Sequence, residues 1–374
     1  MGVFYFLFAL FTLMGIAAFV YLFRKIYLAV KYMGSHLSKA KKVLISIGIF
    51  ALMFVPAYFS FIKWFIIIMH LTAFLIMADV TAVIAKRTCK EKPFPNWLKA
   101  AYKTGAVALL LTALATAYGK YNMYHVVKTE YDITIDKKIS SDYNIALIAD
   151  LHYGISLNSA QLTAAADSIS KQSPDIVILC GDIVDESTTL AQMKEAFAIL
   201  GGIKSKYGVY YVYGNHDKSS YNPSPHFSQT QLAKEIEGHG ITVLEDEGLE
   251  INQDLYLIGR ADKLDTNDAR KPVIDLLPAA EKSKAIIVAD HQPADYDNLE
   301  NNGCDLVVSG HTHGGQTFPL GFFNDLIGFS ELNYGYKKQG SLNGVVTSGI
   351  AGWGYDMRTE HHSEYVMIHL SPSK

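Results

Sequence analysis

Four apolar runs crowd the first 128 residues of the sequence, at 3–23, 43–62, 64–85 and, more weakly, 104–118. About 20 apolar residues in helical form match the thickness of a bilayer's hydrocarbon, where a segment must satisfy its own backbone hydrogen bonds. An N-terminal bundle of about four transmembrane helices is therefore expected, and whatever follows is tethered at a membrane. Arg24, Lys25, Lys31, Lys39, Lys41 and Lys42 lie at or beyond the end of the first run and before the second. Lys86, Arg87, Lys90, Lys92, Lys99 and Lys103 lie between the last two, and Lys63 alone marks the second connection. Basic loops stay on the cytoplasmic side. The reading is thus a multi-pass protein of the cell (inner or plasma) membrane with everything after 118 extracytoplasmic; a fourth run lying on the surface would invert that side. The first run lacks a basic lead and a small-residue cleavage site, so it reads as a retained helix. His70 and Asp79 are ionisable at membrane depth, a default hint of function. Structural roles are nevertheless favoured for both, a neutral His70 against another helix and Asp79 near the Lys86 end.

Charge divides the chain at the same place. Residues 1–128 carry 15 Lys/Arg against two acids, Asp79 and Glu91; subtracted from totals of 33 and 36, this leaves 18 basic and 34 acidic residues beyond. So acidic a surface repels polyphosphate backbones, and no nucleic-acid partner is expected. Residues 129–374 suit one large α/β domain. Cys89, Cys180 and Cys304 form neither a C-x-x-C pair nor an even set, so no zinc knuckle or disulfide framework is indicated.

After a polar linker at 128–142, short β-rich runs alternate with helical stretches, the pattern of an α/β fold. Polar residues fall in a particular place. Asp150 and His152 follow NIALIA, Asp182 follows DIVILC, Asn215, His216 and Asp217 follow GVYYVY, His291 follows KAIIVA, and His311 and His313 follow DLVVS. Strand ends are where α/β sheets build their sites. A single cluster is explained by loop chemistry; five in succession are not. In SGHTHGGQ the two histidines stand two apart, on one face of an extended backbone, with glycines allowing close approach.

Carboxylate, imidazole and amide ligands without thiolate favour Mn, Fe or Zn, with Mn the choice in vitro. Seven ligands are too many for one ion. Two divalent ions on the order of 3.5–4 Å apart would clamp the attacking and leaving oxygens of a phosphoryl displacement.

The blocks DLH, GDIVD, GNHD, H-x-P and GHTH, in order and spacing across 144–316, resemble the calcineurin-like metallophosphoesterase superfamily. With GHTHGGQ and the membrane-linked N-terminus, the chain is most similar to the bacterial branch of cell-envelope phosphodiesterases and UDP-2,3-diacylglucosamine pyrophosphatase-like enzymes. The resemblance implies a four-layer α/β/β/α sandwich. It implies that Asp150, His152 and His313 hold the first metal, that Asp182 bridges, and that Asn215, His291 and His311 hold the second. It further implies His216 as the residue over the substrate phosphate, a general acid next to a ligand, with Asp217 holding its ring. SGIAGWGYDMRTE at 348–360 departs from the branch's glycine-rich segment ending in arginine, to which Arg358 corresponds; Arg358 and Arg260 are weak substrate-binding candidates.

The expected function is metal-dependent hydrolysis of a phosphodiester or pyrophosphate in a lipid-linked or envelope substrate, with the lipid bilayer and a phosphorylated substrate as partners. Two alternatives stand beside it. One is a cytoplasm-facing hydrolase of a nucleotide-diphospho-lipid such as UDP-diacylglucosamine; the other is a non-catalytic, metal-dependent phospholigand-binding membrane protein. Asp185 is as ready to brace its loop as to touch substrate. The aromatic loop at 319–329, just beyond the metal-type histidines, is expected to form a lipid-facing lip rather than a buried staple.

Overall fold

The computed structural model describes residues 2–88, 95–266 and 269–373. Cys89, which entered the cysteine reading, and Lys90, Glu91 and Lys92, which entered the charge reading, lie outside them. Two compact units are formed, residues 1–118 and 119–374.

The first unit is helical: α1 (Gly2–Met33), α2 (Lys39–Leu52), α3 (Val55–Phe59), α4 (Phe61–Thr88), α5 (Asn96–Thr104) and α6 (Ala106–Tyr124), the last running on into the second unit. Three stretches, Thr12–Met33, Lys39–Phe59 and Phe61–Thr88, are long and apolar enough to cross a membrane; α5 and α6, bent by 66° at a short break, make a fourth if counted as one span. Gly105 lies at that bend with φ of 76°, a left-handed turn that glycine tolerates without a steric cost. The run at 43–62 is not one helix. Pro56 sits near the start of α3, where its missing N–H costs nothing, and the ladder restarts there. Asp79 is not relieved by the Lys86 end: its carboxylate accepts from Lys25 Nζ at 2.6 Å, Tyr21 Oη at 2.8 Å and Tyr102 Oη at 2.7 Å. A charge fully partnered in this way needs no functional explanation.

In the second unit the elements are β1 (Val126–Ile135), β2 (Tyr143–Ile148), α7 (Ser159–Lys171), β3 (Ile176–Cys180), α8 (Leu190–Gly201), β4 (Val209–Val212), α9 (Gln229–Gly238), β5 (Ile241–Val243), β6 (Glu247–Glu250), β7 (Leu255–Gly259), α10 (Val273–Leu276), β8 (Ala285–Ala289), α11 (Tyr296–Asn301), β9 (Leu306–Ser309), α12 (Leu320–Ile327), β10 (Gly335–Gln339), β11 (Leu342–Val346) and β12 (Ser363–Pro372). They build two six-stranded sheets, ordered β1-β12-β2-β3-β4-β5 and β10-β11-β9-β8-β7-β6. Strands β2 to β5 pair in parallel, as do β7, β8, β9 and β11.

Side-chain alternation assigns the layers. Ile145 and Leu147 of β2 and Ile176 and Ile178 of β3 face the second sheet, meeting Leu257, Ile287 and Val308. Ala146, Ile148, Val177 and Leu179 face the other way, against Leu162, Met193, Phe197 and Leu232 of α7, α8 and α9. On the far side of the second sheet, Ile258, Ile286 and Val288 pack on Val273 and Leu299 of α10 and α11. The result is a four-layer α/β/β/α sandwich. Each of α7, α8 and α9 starts with a reciprocal capping box, Asn158–Gln161, Thr189–Gln192 and Ser228–Gln231, so each strand-to-helix loop ends at a defined residue.

The stretch read as a polar linker is largely strand. β1 begins at Val126 and lies along β12 at the sheet edge, where alternate positions reach solvent and tolerate Lys128, Glu130 and Asp132. An edge strand with one polar face has the composition of a linker, which is why composition alone did not separate them.

Candidate metal centre

Loops leaving β2, β3, β4, β8 and β9 converge at one edge of the sandwich, and backbone bonds stitch them together. Asp150 N donates to Gly181 O and His152 N to Asp182 O, both at 3.0 Å, and Gly310 N donates to His291 O at 3.0 Å. Asp150, His152, Asp182, His311 and His313 all have left-handed φ, between 42° and 70°. Such a conformation costs a residue with a Cβ of order 1 kcal/mol or more, and persists where the surroundings enforce it, most often at functional sites. Two glycines let the loops approach. A Cβ on Gly310 would stand 2.5 Å from an Asp150 carboxylate oxygen, and one on Gly214 would collide with the Asp182 carboxylate.

Two groups of ligand-type side chains result. Asp150, His152 and His313 form one and Asp182, His291 and His311 the other, each with its ligand atoms within 4.8 Å of one another. Asp182 Oδ2 lies 3.1 Å from His291 Nε2 and 3.7 Å from His152 Nε2, so its carboxylate stands between the groups. His291 Nδ1 donates to Cys180 O at 2.8 Å, which leaves Nε2 as the ligand nitrogen. His152 Nδ1 lies 3.3 Å from Asp185 Oδ2, and Asp185 also accepts from Ser187 N and Oγ. Asp185 therefore braces both its loop and a metal-type histidine.

A cation fits this set. His152 Nε2, Asn215 Oδ1 and His313 Nδ1 are buried without a hydrogen-bond partner. Orphaned polar atoms are rare in folded proteins, and here they cluster among carboxylates. The electrostatics agree. Burial pushes the Asp150 carboxyl up to about 6, with the His291 charge opposing. Asp182 is held well below the carboxylate range because the charge and hydrogen bond of His291 outweigh its burial. Burial, helped by neighbouring histidines, lowers His311 to about 3 and His313 well below the usual imidazole value, which keeps both rings in the neutral form that binds metal.

Residues 143–315 match the family described as calcineurin-like phosphoesterase. The chain carries a calcineurin-like metallophosphoesterase domain. It is 31% identical over 253 residues to an uncharacterised metallophosphoesterase of Helicobacter pylori, covering 65% of this chain and 63% of that one. It is 26% identical to a transmembrane protein with metallophosphoesterase domain of Danio rerio (72% and 63% covered). It is 28% identical to the phosphodiesterase YaeI of Escherichia coli (48% and 64% covered). The chain thus spans a little under two thirds of the length of these relatives. It joins a calcineurin-like phosphoesterase domain at 143–315 to helices long and apolar enough to cross a membrane.

In the metallophosphoesterase domain His216 stands at the rim, its ring centroid 5.4 Å from that of His152. Asp217 does not hold that ring. Its carboxylate turns inward and accepts from the backbone N–H groups of Asp182 (2.7 Å), Ile183 (2.9 Å), Val184 (3.1 Å) and Gly214 (2.6 Å), tying two metal loops together. Glu186 has the place instead: His216 Nδ1 lies 2.9 and 3.1 Å from its two carboxylate oxygens. Burial pulls the His216 ring down, and the Glu186 hydrogen bond with the Asp182 charge raises it above the usual value. Sequence reasoning missed Glu186, although an acid one residue past GDIVD was a readable signal. Tyr221 and Trp353, both exposed, flank His216 with ring centroids at 5.3 and 5.6 Å.

The two arginines named as substrate-binding candidates are both buried. Arg358 is fully buried and donates to His313 O at 2.8 Å and Ala351 O at 2.6 Å, which positions a metal-type histidine from behind. Arg260 is buried too, with one donor on Lys271 O at 3.3 Å. Burial depresses the Arg358 guanidinium to about 10, with Asp150 opposing.

Proposed function

We propose that the protein is a membrane-anchored dinuclear metallophosphoesterase that hydrolyses a phosphodiester or pyrophosphate bond in a lipid-linked or cell-envelope substrate. The observation that carries the proposal is the paired ligand groups with their orphaned atoms, set directly beside the His216–Glu186 pair. Asp150, His152 and His313 would hold one divalent ion and Asn215, His291 and His311 the other, with Asp182 shared. Mn, Fe and Zn suit these donors, and when bound the ions supply Lewis-acid charge on the phosphoryl oxygens and an activated water.

The chain's own residues do the rest. Glu186 accepts the Nδ1 proton of His216, so a second imidazolium proton sits on Nε2, from which it passes to the leaving oxygen. Asp185 and Cys180 O fix the rings of His152 and His291. Tyr221 and Trp353 provide walls on the leaving-group side.

Four crossings, counting α5 with α6, together with basic loops on the cytoplasmic side, support a domain outside the cell membrane. The bend at Gly105 favours a second reading: if α5 lies in the interface and the pair does not cross, the site faces the cytoplasm, where a nucleotide-diphospho-lipid is met. A reporter fused after Lys374 distinguishes the sides. Activity is tested with the full chain in detergent, Mn²⁺ and bis-p-nitrophenyl phosphate, beside Asp182→Ala. Metal-dependent turnover that the variant loses supports the proposal; tight phosphate binding with no turnover of any ester sinks it in favour of a binding protein.

A further inference from the structure

The helix α12 leaves the soluble unit's surface in an unusual state. Phe318, Phe322, Phe323, Leu326, Ile327 and Phe329 are all exposed, Leu326 at 68% and Ile327 at 70%. At 100° per residue, Phe322, Phe323, Leu326 and Ile327 fall within one sector of roughly 140°. The opposite side is packed: Gly321 is buried, its N–H donates to Glu360 at 2.8 Å, and Asn324 donates to Asn333 at 3.3 Å. The helix therefore has an inner face fixed to the domain and an outer face of large apolar side chains. Water-soluble surfaces rarely gather so many in one place.

A second observation says what covers that face. The last turn of α6, residues 119–124, belongs to the soluble unit and docks on the strip 357–363. Arg358 N donates to Gly119 O at 2.9 Å, Asn122 Nδ2 donates to His361 O at 2.6 Å, and Ser363 Oγ donates to Met123 O at 2.9 Å. The start of α12 is tied to the same strip, with Phe318 N donating to Thr359 Oγ1 at 3.1 Å. Thr359 touches both: its Cγ2 would lie 2.7 Å from a Cβ on Gly119. One side chain thus separates the apolar helix from the turn in which α6 emerges from its apolar run. That run, with Leu109, Leu110, Leu111 and Leu114 exposed, is the part suited to lipid.

We propose that α12 is a membrane-seating helix whose outer face enters the interfacial layer of the bilayer that α6 adjoins, as amphipathic interfacial helices do. The domain is then held at two points, α6 and α12, rather than swinging on a single tether. Because Gly321 of α12 packs on Gly314 and Gly315, next to His313, the seated helix puts the rim of the metal centre at the lipid headgroups. The substrate class that fits is a phosphate ester whose lipid part stays in the membrane. This last step rests on the hydrolase reading; the docking itself does not.

The test separates the two. In the full chain with Cys89→Ser, Leu326→Cys and, as a control on the edge strand β6, Glu247→Cys are each labelled with an NBD fluorophore and reconstituted in phosphatidylcholine–phosphatidylglycerol vesicles with or without brominated acyl chains. Quenching at position 326 and none at 247 is the expected result. No quenching at 326 overturns the proposal, and so does a blue-shifted label that brominated lipid does not quench, since another protein then covers the helix. In the same vesicles, a Leu326→Asp/Ile327→Asp chain is expected to lose about tenfold or more in turnover of an embedded phospholipid while keeping its rate on soluble bis-p-nitrophenyl phosphate. Equal rates of both chains on both substrates, with 326 still quenched, refute the substrate step and leave the docking standing.

Discussion

Replacing Glu186 by glutamine keeps the size of the group that faces His216 and removes its charge. The substitution weakens the two hydrogen bonds at 2.9 and 3.1 Å from His216 Nδ1. A hydrogen bond to a charged group contributes ~1.5–3 kcal/mol. Both partners retain some solvent contact, 16% for His216 and 23% for Glu186, so the lower end applies. At 1.36 kcal/mol per decade of rate, that is about a tenfold fall in kcat. The fall is expected only where a proton is needed. A p-nitrophenolate leaves unaided, whereas an alkyl alkoxide must be protonated as it departs, so the assay compares an alkyl diester with bis-p-nitrophenyl phosphate under saturating Mn²⁺. His216→Ala should show the same selectivity with a larger loss, and the Glu186→Gln/His216→Ala double variant should be no worse than His216→Ala alone. If Glu186→Gln slows both esters equally, or neither, Glu186 does not act through His216 and the proton assignment is wrong.

Chelation of the full chain should abolish turnover and lower Tm, with Mn²⁺ restoring both; retention of activity in EDTA after dialysis would falsify the metal assignment. Mn²⁺ affinity measured by calorimetry should be weaker at about pH 6 than at about pH 8, because protons compete for the imidazole nitrogens, His291 above all, whose ring the Asp182 carboxylate holds well above its usual value despite burial. Gly214→Ala should fold with a near-parental circular dichroism spectrum yet lose most metal affinity, its methyl displacing the Asp182 carboxylate. Arg358→Met should cost ~2–4 kcal/mol in urea unfolding, since it leaves two buried carbonyls unpartnered; an unchanged midpoint would show that those donors are dispensable.

How much of this was legible in the residues depends on range. The strand-end ligands were readable because each follows an apolar run by one to four residues, a local regularity, and the four-layer order followed from the family likeness. Glu186 was missed because what defines it is a contact with His216, 30 positions away, and Asp217 was given the wrong partner because the family likeness carried that role onto it. The turn inward of Asp217 is set by four backbone N–H groups that no side-chain pattern announces. Arg358 matched a motif position yet serves His313 from behind, since its burial depends on how 348–360 folds over Gln316 and the metal loop. β1 escaped notice because an edge strand with one wet face has linker composition, and Asp79 looked costly until Lys25 and Tyr102, far off in sequence, were seen around it.

The strand order carries a consequence for biosynthesis. β12, the last strand of the domain to leave the ribosome, is inserted between β1 and β2, pairing ten residues of the first in parallel and five of the second antiparallel. Until residue 372 is made, the strand nearest the anchor and the strand bearing the first ligand loop each present an open edge. Closure requires contacts spanning some 240 residues of sequence between Val126 and Ser363, a high-contact-order step that is slow and leaves the nascent domain prone to mispairing. The first sheet is therefore whole only once β12 has been made and has paired with both neighbours, well after the apolar helices have left the ribosome.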